Sequence, residues 1–228
     1  MRVLVTRAHE DATRTAARLA AAGHEALVAP VIEIVPTKAS IPDEVFDAVL
    51  ATSVHALNFV EHLPSALAGA PWLVVGERLA RVLADRQLGP PEVSAPDAAA
   101  LISAIDERYP GPFRFLYLTG RDRKPDLERE LRNRGHEIVA VETYAAEPTM
   151  RFDPPIEAAL RSGALDAVLH FSRRSAELFI EQARTYSGSE ELRHIAISAD
   201  AAGPLQAQGW RVEVAATPDE EAMLASLA

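Results

Sequence analysis

Short apolar runs alternate with longer helical patterns from one end of the chain to the other. The runs are Val3–Val5, Ala26–Ala29, Ala48–Leu50, Trp72–Val75, Phe113–Leu118, Ile138–Val141, Ala167–Leu169, His194–Ile197 and Val212–Ala215, with a weaker one near Val93. Strands that alternate with helices predict a parallel α/β architecture, here of about ten strands. Helix punctuation agrees. Gly23 and Gly135 stand where helices should stop, because glycine takes the left-handed turn there at little steric cost. Ser172 precedes a helical stretch from Arg173 to Ile180 and reads as its cap. In Thr217-Pro218-Asp219-Glu220 the Thr217 hydroxyl reads as the cap, with Pro218 at the first helical position and Glu220 at the third.

The pattern also repeats, which a chain of this kind should always be tested for. Gly23-His24-Glu25 recurs as Gly135-His136-Glu137, and Pro36 recurs as Pro148 at the same offset. Asp47-Ala48-Val49-Leu50, with Ser53 beyond it, recurs as Asp166-Ala167-Val168-Leu169 with Ser172. Trp72-Leu73-Val74-Val75 matches His194-Ile195-Ala196-Ile197, and Pro96-Asp97 matches Pro218-Asp219. Each copy reads strand, helix, strand, Pro-bounded extended segment, then three strand–helix pairs. Two such copies predict two open sheets facing each other across a cleft. Their division is open at this level. It falls near Pro110-Gly111-Pro112, or the chain crosses twice through the extended segments Val31–Pro36 and Thr143–Pro148. In the second case the first strand, helix and strand pack with the end of the second copy.

Composition narrows the class. At 228 residues the chain can form one large or two small domains, and 48% hydrophobic with 25% charged residues is the mix of a globular protein. Cysteine is absent from the sequence, which excludes a disulfide framework and a thiolate metal site. The opening apolar run breaks at Thr6-Arg7, too early for a signal peptide, and no stretch approaches the ~18 apolar residues of a membrane span. A cytoplasmic protein is expected. The formal charge of −10 argues against nonspecific binding to nucleic acid or an anionic membrane, but not against a local basic site.

In open parallel sheets, ligands bind beyond the carboxyl ends of the strands, where helix starts present free backbone N–H groups. The residues there are Thr6-Arg7, Thr52-Ser53-Val54-His55, Gly76-Glu77-Arg78, Thr119-Gly120-Arg121-Asp122-Arg123-Lys124, Ser172-Arg173-Arg174 and Ser198-Ala199-Asp200. Hydroxyls and arginines dominate, and a guanidinium pairs with carboxylate or phosphate in a fixed fork, so an anionic ligand is expected. The same Ser and Thr positions are also natural helix caps. Several chemistries are missing: there is no Gly-x-Gly-x-x-Gly after a strand, no Walker loop and no Gly-x-Ser-x-Gly elbow. His24-Glu25 and His136-Glu137 lack the further histidine of a zinc-protease helix, and no metal site is expected.

Taken in order, the segments resemble one family. Val3-Leu4-Val5-Thr6-Arg7, Gly23-His24-Glu25, Pro30 and Pro36 look like the opening of uroporphyrinogen-III synthases. Phe46-Asp47-Ala48-Val49-Leu50-Ala51-Thr52-Ser53, Val74-Val75-Gly76, Leu116-Tyr117-Leu118-Thr119-Gly120, Val141-Glu142-Thr143-Tyr144, His170-Phe171-Ser172 and Ile197-Ser198 continue the series across nearly the whole chain. The resemblance implies two flavodoxin-like open parallel-sheet domains joined by a two-stranded β connector. One would take residues 1–35 and 149–228, the other 37–145, with connectors near 31–37 and 143–149. It also implies a cofactor-free hydro-lyase that closes hydroxymethylbilane, a linear tetrapyrrole with eight carboxylates. Water leaves, the substituted carbon of ring D attacks, and a spiro intermediate reopens and recloses with that ring reversed.

The residue roles follow the same resemblance. Tyr144 is the implied catalytic residue. Its free pKa of ~10 suits a hydrogen bond to the departing hydroxyl better than full proton donation. Thr52, Ser53, Gly76, Gly120, Ser172 and Ser198 are implied substrate-binding positions, and Arg7, Arg121, Arg123, Arg173 and Arg174 are candidates for carboxylate pairing. A monomer is expected, with substrate handed over by the preceding pathway enzyme and neither nucleic acid nor membrane as partner. Leu79 and Ala201 depart from the family pattern, which has Thr at the first position and in some members at the second. Those departures leave room for a noncatalytic tetrapyrrole- or polyanion-binding relative. The repeat and cleft alone also allow an unrelated two-domain small-ligand receptor.

Overall fold

Every apolar run of the chain is a strand in the computed structural model, which describes residues 1–227. The strands are β1 (Arg2–Val5), β2 (Glu25–Val28), β3 (Ile32–Pro36), β4 (Ala48–Ala51), β5 (Trp72–Val75), β6 (Val93–Ala95), β7 (Arg114–Gly120), β8 (Glu137–Pro148), β9 (Ala167–His170), β10 (Arg193–Ala196) and β11 (Val212–Val214). The helices are α1 (His9–Ala21), α2 (His55–Asn58), α3 (Glu77–Asp85), α4 (Ala98–Arg108), α5 (Asp126–Asn133), α6 (Pro154–Arg161), α7 (Arg173–Ala183), α8 (Ala199–Ala207) and α9 (Glu220–Ala225). Both Pro-bounded extended segments are strand as well. The first is β3, and the second is the far half of β8, which runs on unbroken from Glu137. There Val141, Thr143 and Ala145 are buried while Glu142, Tyr144 and Ala146 are partly exposed, the period of two expected of a strand.

The first sheet has the order β11-β10-β9-β1-β2, and the pairings along it are all parallel. Numbered along the chain, this is the 2-1-3-4-5 order of flavodoxin-like doubly wound sheets. The second sheet runs β3-β8-β7-β4-β5-β6. Its five strands from β8 to β6 repeat the first order, provided β7 and β8 take the roles of β1 and β2 and β4, β5 and β6 those of β9, β10 and β11. The copies are therefore equivalent in space although their segments come in a different order along the chain.

The amino ends of the strands confirm the equivalence atom by atom. Asp166 Oδ2 accepts from the Arg2 backbone N–H at 2.6 Å, and Arg2 Nε pairs with Glu25 at 3.0 Å. In the second sheet Asp47 Oδ2 accepts from the Arg114 N–H at 2.7 Å, and Arg114 Nε pairs with Glu137 at 2.9 Å. Contacts group the chain into two compact units, one of Met1–Glu33 with the chain from Glu147 onwards, the other Ile34–Ala146. The chain leaves the first unit within β3 and returns within β8.

Each sheet is covered on both faces. In the first unit Leu4 and Val168 pack against Phe179 and Leu205 on one side, while Val3, Val5, Leu169 and Ile195 pack against Leu19 and Met223 on the other. In the second, Val49, Val74, Leu116 and Leu118 face Leu57, Leu79 and Leu83, while Leu50, Leu73 and Phe115 face Leu101, Ile105 and Leu131. Two buried histidines belong to the first core. His170 Nε2 and His194 Nδ1 lie 3.0 Å apart, and His194 Nε2 donates to the Ser189 carbonyl at 3.0 Å. A carbonyl can only accept, so His194 carries its proton on Nε2 and His170 must supply the one shared with His194 Nδ1. Burial lowers both imidazole pKa values, that of His194 to about 4, and keeps the pair neutral.

The helix ends bear out most of the cap readings. Gly23 and Gly135 lie just past α1 and α5 with φ of 81° and 89°. Ser172 caps α7 through a reciprocal box with Ser175. At α9 the cap is Asp219, whose Oδ1 accepts from the Ala222 N–H at 2.8 Å, and not Thr217. The helix begins at Glu220, two residues beyond Pro218, because a carboxylate reaching N3 makes the stronger cap.

Candidate functional site

A doubly wound sheet opens a crevice where its strand order reverses, beyond the carboxyl ends of the two strands flanking that point. In the first unit these strands are β1 and β9; in the second they are β7 and β4. The candidate residues fall mostly around these two places.

In the second unit, Thr52 and Ser53 follow β4 and Gly120 ends β7. The Thr52 hydroxyl lies 2.9 Å from that of Tyr117, a residue 3% exposed at the heart of β7. Ser53 Oγ accepts from the His55 N–H at 3.3 Å, turning the chain into α2. Between Thr119 and Gly120 the β7–β8 register slips, so that Gly120 pairs with Tyr144. The Arg121 N–H then donates to the Tyr144 carbonyl at 2.9 Å. The phenol ring rests directly on Gly120: a Cβ built there would stand 2.6 Å from Cζ and 2.9 Å from the hydroxyl oxygen. The His55 ring lies 5.7 Å from that of Tyr144, tilted by 59°. Thr143 Oγ1 donates to the Ala56 carbonyl at 2.8 Å and ties α2 to β8. Burial raises the Tyr144 pKa above its usual value, against the opposing pull of a hydrogen bond with Ser53.

In the first unit, Thr6 is fully buried and its hydroxyl donates to the Leu169 carbonyl at 2.9 Å, locking β1 to β9. Arg7 lies over the Phe171 ring, 4.3 Å from its centroid, with Asp11 at 3.3 Å. Its buried Nε has no hydrogen-bond partner among the described residues. Ser172 and Ser198 open α7 and α8, accepting from the Ser175 and Ala201 N–H groups. Arg173 pairs with Glu177 at 3.1 Å and reaches Asp200 at 3.6 Å, bridging the starts of the two helices.

Other candidates are placed differently. Gly76 caps α3 with φ of 86°, and its N–H is taken by the Ala95 carbonyl at 2.8 Å, so it shapes a turn and offers no donor. Arg123 does not present a free guanidinium. Glu128, Glu142 at 2.8 Å and the Gly120 carbonyl at 3.0 Å hold it, and these carboxylates neutralise its charge within the protein. Arg121 is exposed and Arg174 half-buried, and both interact with other groups of the protein. Leu79, 1% exposed, fills the core against α2 and β5, and Ala201 is fully buried in α8. Both family departures therefore lie in packing positions. Tyr117 and His55 belong to the cluster but were not among the candidate site residues; the single hydroxyl-bearing ring in the β7 run was the available signal for the first. Among the described residues no group of three or more His, Asp or Glu could hold a metal ion, and no helix is long and apolar enough to cross a membrane.

The family model described as HEM4, uroporphyrinogen-III synthase HemD, matches residues 13–225. No curated protein matches the sequence. Among solved structures, a uroporphyrinogen-III synthetase from Helicobacter pylori is 18% identical, with 100% of this chain and 98% of that one covered and a TM-score of 0.67. A mutant uroporphyrinogen III synthase from the extremely thermophilic bacterium Thermus thermophilus is 21% identical, with 100% and 97% covered and a TM-score of 0.56. At such identities these structures are similar in fold.

Proposed function

The chain belongs to the uroporphyrinogen-III synthase family, an enzyme family of tetrapyrrole biosynthesis, and on that premise we propose that it is a hydro-lyase whose reacting group is the Tyr144 phenol. The supporting observation is the cluster at the strand-order reversal of the second sheet, where Tyr144, Ser53, Thr52 and Tyr117 bring hydroxyl groups together. The substrate is hydroxymethylbilane. Its terminal pyrrole expels hydroxide as the ring nitrogen lone pair moves outward, and one proton converts the departing group to water. A phenol with a raised pKa stays protonated at neutral pH, so Tyr144 keeps an O–H to donate to that oxygen. The resulting electrophilic carbon is attacked by the substituted carbon of ring D. The spiro intermediate then reopens and recloses at the free carbon, and loss of a proton restores the pyrrole.

This chemistry needs folding of a flexible chain more than a nucleophile, so positioning and preorganised donors carry the acceleration. Acetate and propionate groups suit the helix starts at Ser172 and Ser198 and the Arg7 guanidinium, which keeps an unpaired buried N–H. Arg173 and Arg174 add positive charge at the start of α7 in the first unit, and Arg121 does so after β7 in the second. We assign the protein to the cytoplasm as a monomer working without a cofactor, on substrate handed over by the preceding enzyme of the pathway.

The test is coupled turnover. Hydroxymethylbilane is generated in situ, the protein added, and the oxidised products separated into type I and type III isomers. Dominant type III product supports the proposal. Type I alone, at the uncatalysed rate, rejects it.

A further inference from the structure

Gly120 is the last residue of β7 and is not in a left-handed conformation, so its backbone would accept a side chain. What excludes one is the Tyr144 ring, whose Cζ, Cε2 and hydroxyl oxygen lie 2.6, 2.8 and 2.9 Å from where a Cβ would stand. Real Cβ atoms essentially never approach that closely. The ring's place also depends on the register slip between Thr119 and Gly120, which sets Tyr144 opposite Gly120. Slips of this kind re-aim a side chain at the cost of leaving backbone groups out of the ladder. Arg123 closes that gap: one guanidinium nitrogen donates both to the Gly120 carbonyl at 3.0 Å and to Glu142 at 2.8 Å, two residues before Tyr144 on β8. Glu128 holds the other side of the same guanidinium.

The internal repeat supplies a control. The displacement along the chain that carries Gly23 to Gly135 carries Ala8 to Gly120 and Ile32 to Tyr144. The first unit thus has a methyl where the second has none, and an aliphatic side chain where the second has a phenol. Space and ring occur together in one copy and are absent together from the other.

We propose that Gly120 and Arg123 are positioning residues that seat the Tyr144 phenol: the glycine leaves the space the ring occupies, and the arginine pins the slipped strand pair that aims it. This rests on the assignment of Tyr144 to the reaction. It also gives Gly120 and Arg123 a role other than touching substrate.

Gly120→Ala should push the ring off its seat. Turnover falls several-fold, about as far as in Tyr144→Phe, and the Tyr144 phenol, isolated as the difference in alkaline ultraviolet titration between each protein and its Tyr144→Phe counterpart, ionises at lower pH as it loses its burial. Arg123→Gln moves both in the same direction, and Arg123→Lys recovers part of the loss. A loss of turnover with the titration unmoved would mean that Gly120 meets the substrate directly and would overturn the proposal, as would unchanged turnover and titration together. Melting temperature gives an independent check. Gly120→Ala should lower it in the otherwise native chain but not alongside Tyr144→Ile, which recreates the first unit's pairing; equal losses in both backgrounds would refute the seat. If Tyr144→Phe keeps full turnover while Gly120→Ala still shifts the titration, the seat stands and the catalytic assignment of Tyr144 fails.

Discussion

Tyr144 combines three local facts: a ring set on a glycine, a phenol whose pKa burial raises, and a serine hydroxyl in contact. Replacing it by Phe removes only the oxygen, so we predict several-fold lower turnover with the fold retained. Equal kinetics would take Tyr144 out of the mechanism. Tyr117→Phe should be read in stability. It deletes the 2.9 Å hydrogen bond to Thr52 in a buried setting and should cost about 1 kcal/mol of stability, measurable by urea unfolding. Thr52, Ser53 and Gly120 were legible as candidates because a parallel sheet gathers its strand ends whatever the packing, whereas Tyr144, inside β8, was implied only by the family resemblance. The partners of Arg123 were not legible, for a physical reason. Whether an arginine greets a ligand or a neighbour depends on where its carboxylates lie, and Glu142 reaches it only because β7 and β8 pair.

Among the elements, β9 and β10 carry the consequence most sensitive to pH. His170 and His194 share one hydrogen bond in the core and are held neutral there. Both folded pKa values lie below the unfolded value of ~6.5, so the unfolded chain takes up protons that the folded one refuses. Stability is then whole above about pH 6.5 and is lost as pH falls towards the folded values; His194 alone should cost about 2 kcal/mol by pH 5. Urea midpoints at pH 7.5 and 5 would show the drop, and replacing both histidines by Leu should flatten it. A wild-type midpoint that is the same at both pH values contradicts the neutral pair. At the start of α7, Ser172→Ala removes a reciprocal cap and should cost about 1 kcal/mol, read in the same unfolding experiment. The strands and most caps were readable because they rest on local alternation and on side chains within three residues of the helix start. The histidine pair was not, since its partners lie on separate strands.

At the scale of the whole molecule, the two copies carry the same Asp and Arg–Glu clamp at the amino ends of their strands, away from the strand ends that hold the candidate site. Asp47→Ala and Asp166→Ala should each lower the melting temperature by a few degrees, for a loss of about 1 kcal/mol, and leave turnover intact. A large loss of turnover in either would give these ends a role in the reaction. Local sequence was enough for the parallel α/β class, the repeat and the family, because apolar period, turn residues and motif order are properties of neighbours along the chain. Strand order was decided only in three dimensions. β1 lies between β2 and β9, whose segments are far apart in sequence, and β7 lies beside β4 across most of the second unit. Such pairings depend on which edges the folded sheets leave open, a property of the assembled structure that no local stretch of residues encodes. The seat beneath Tyr144 is of the same kind, since it exists only where two paired strands slip by one residue.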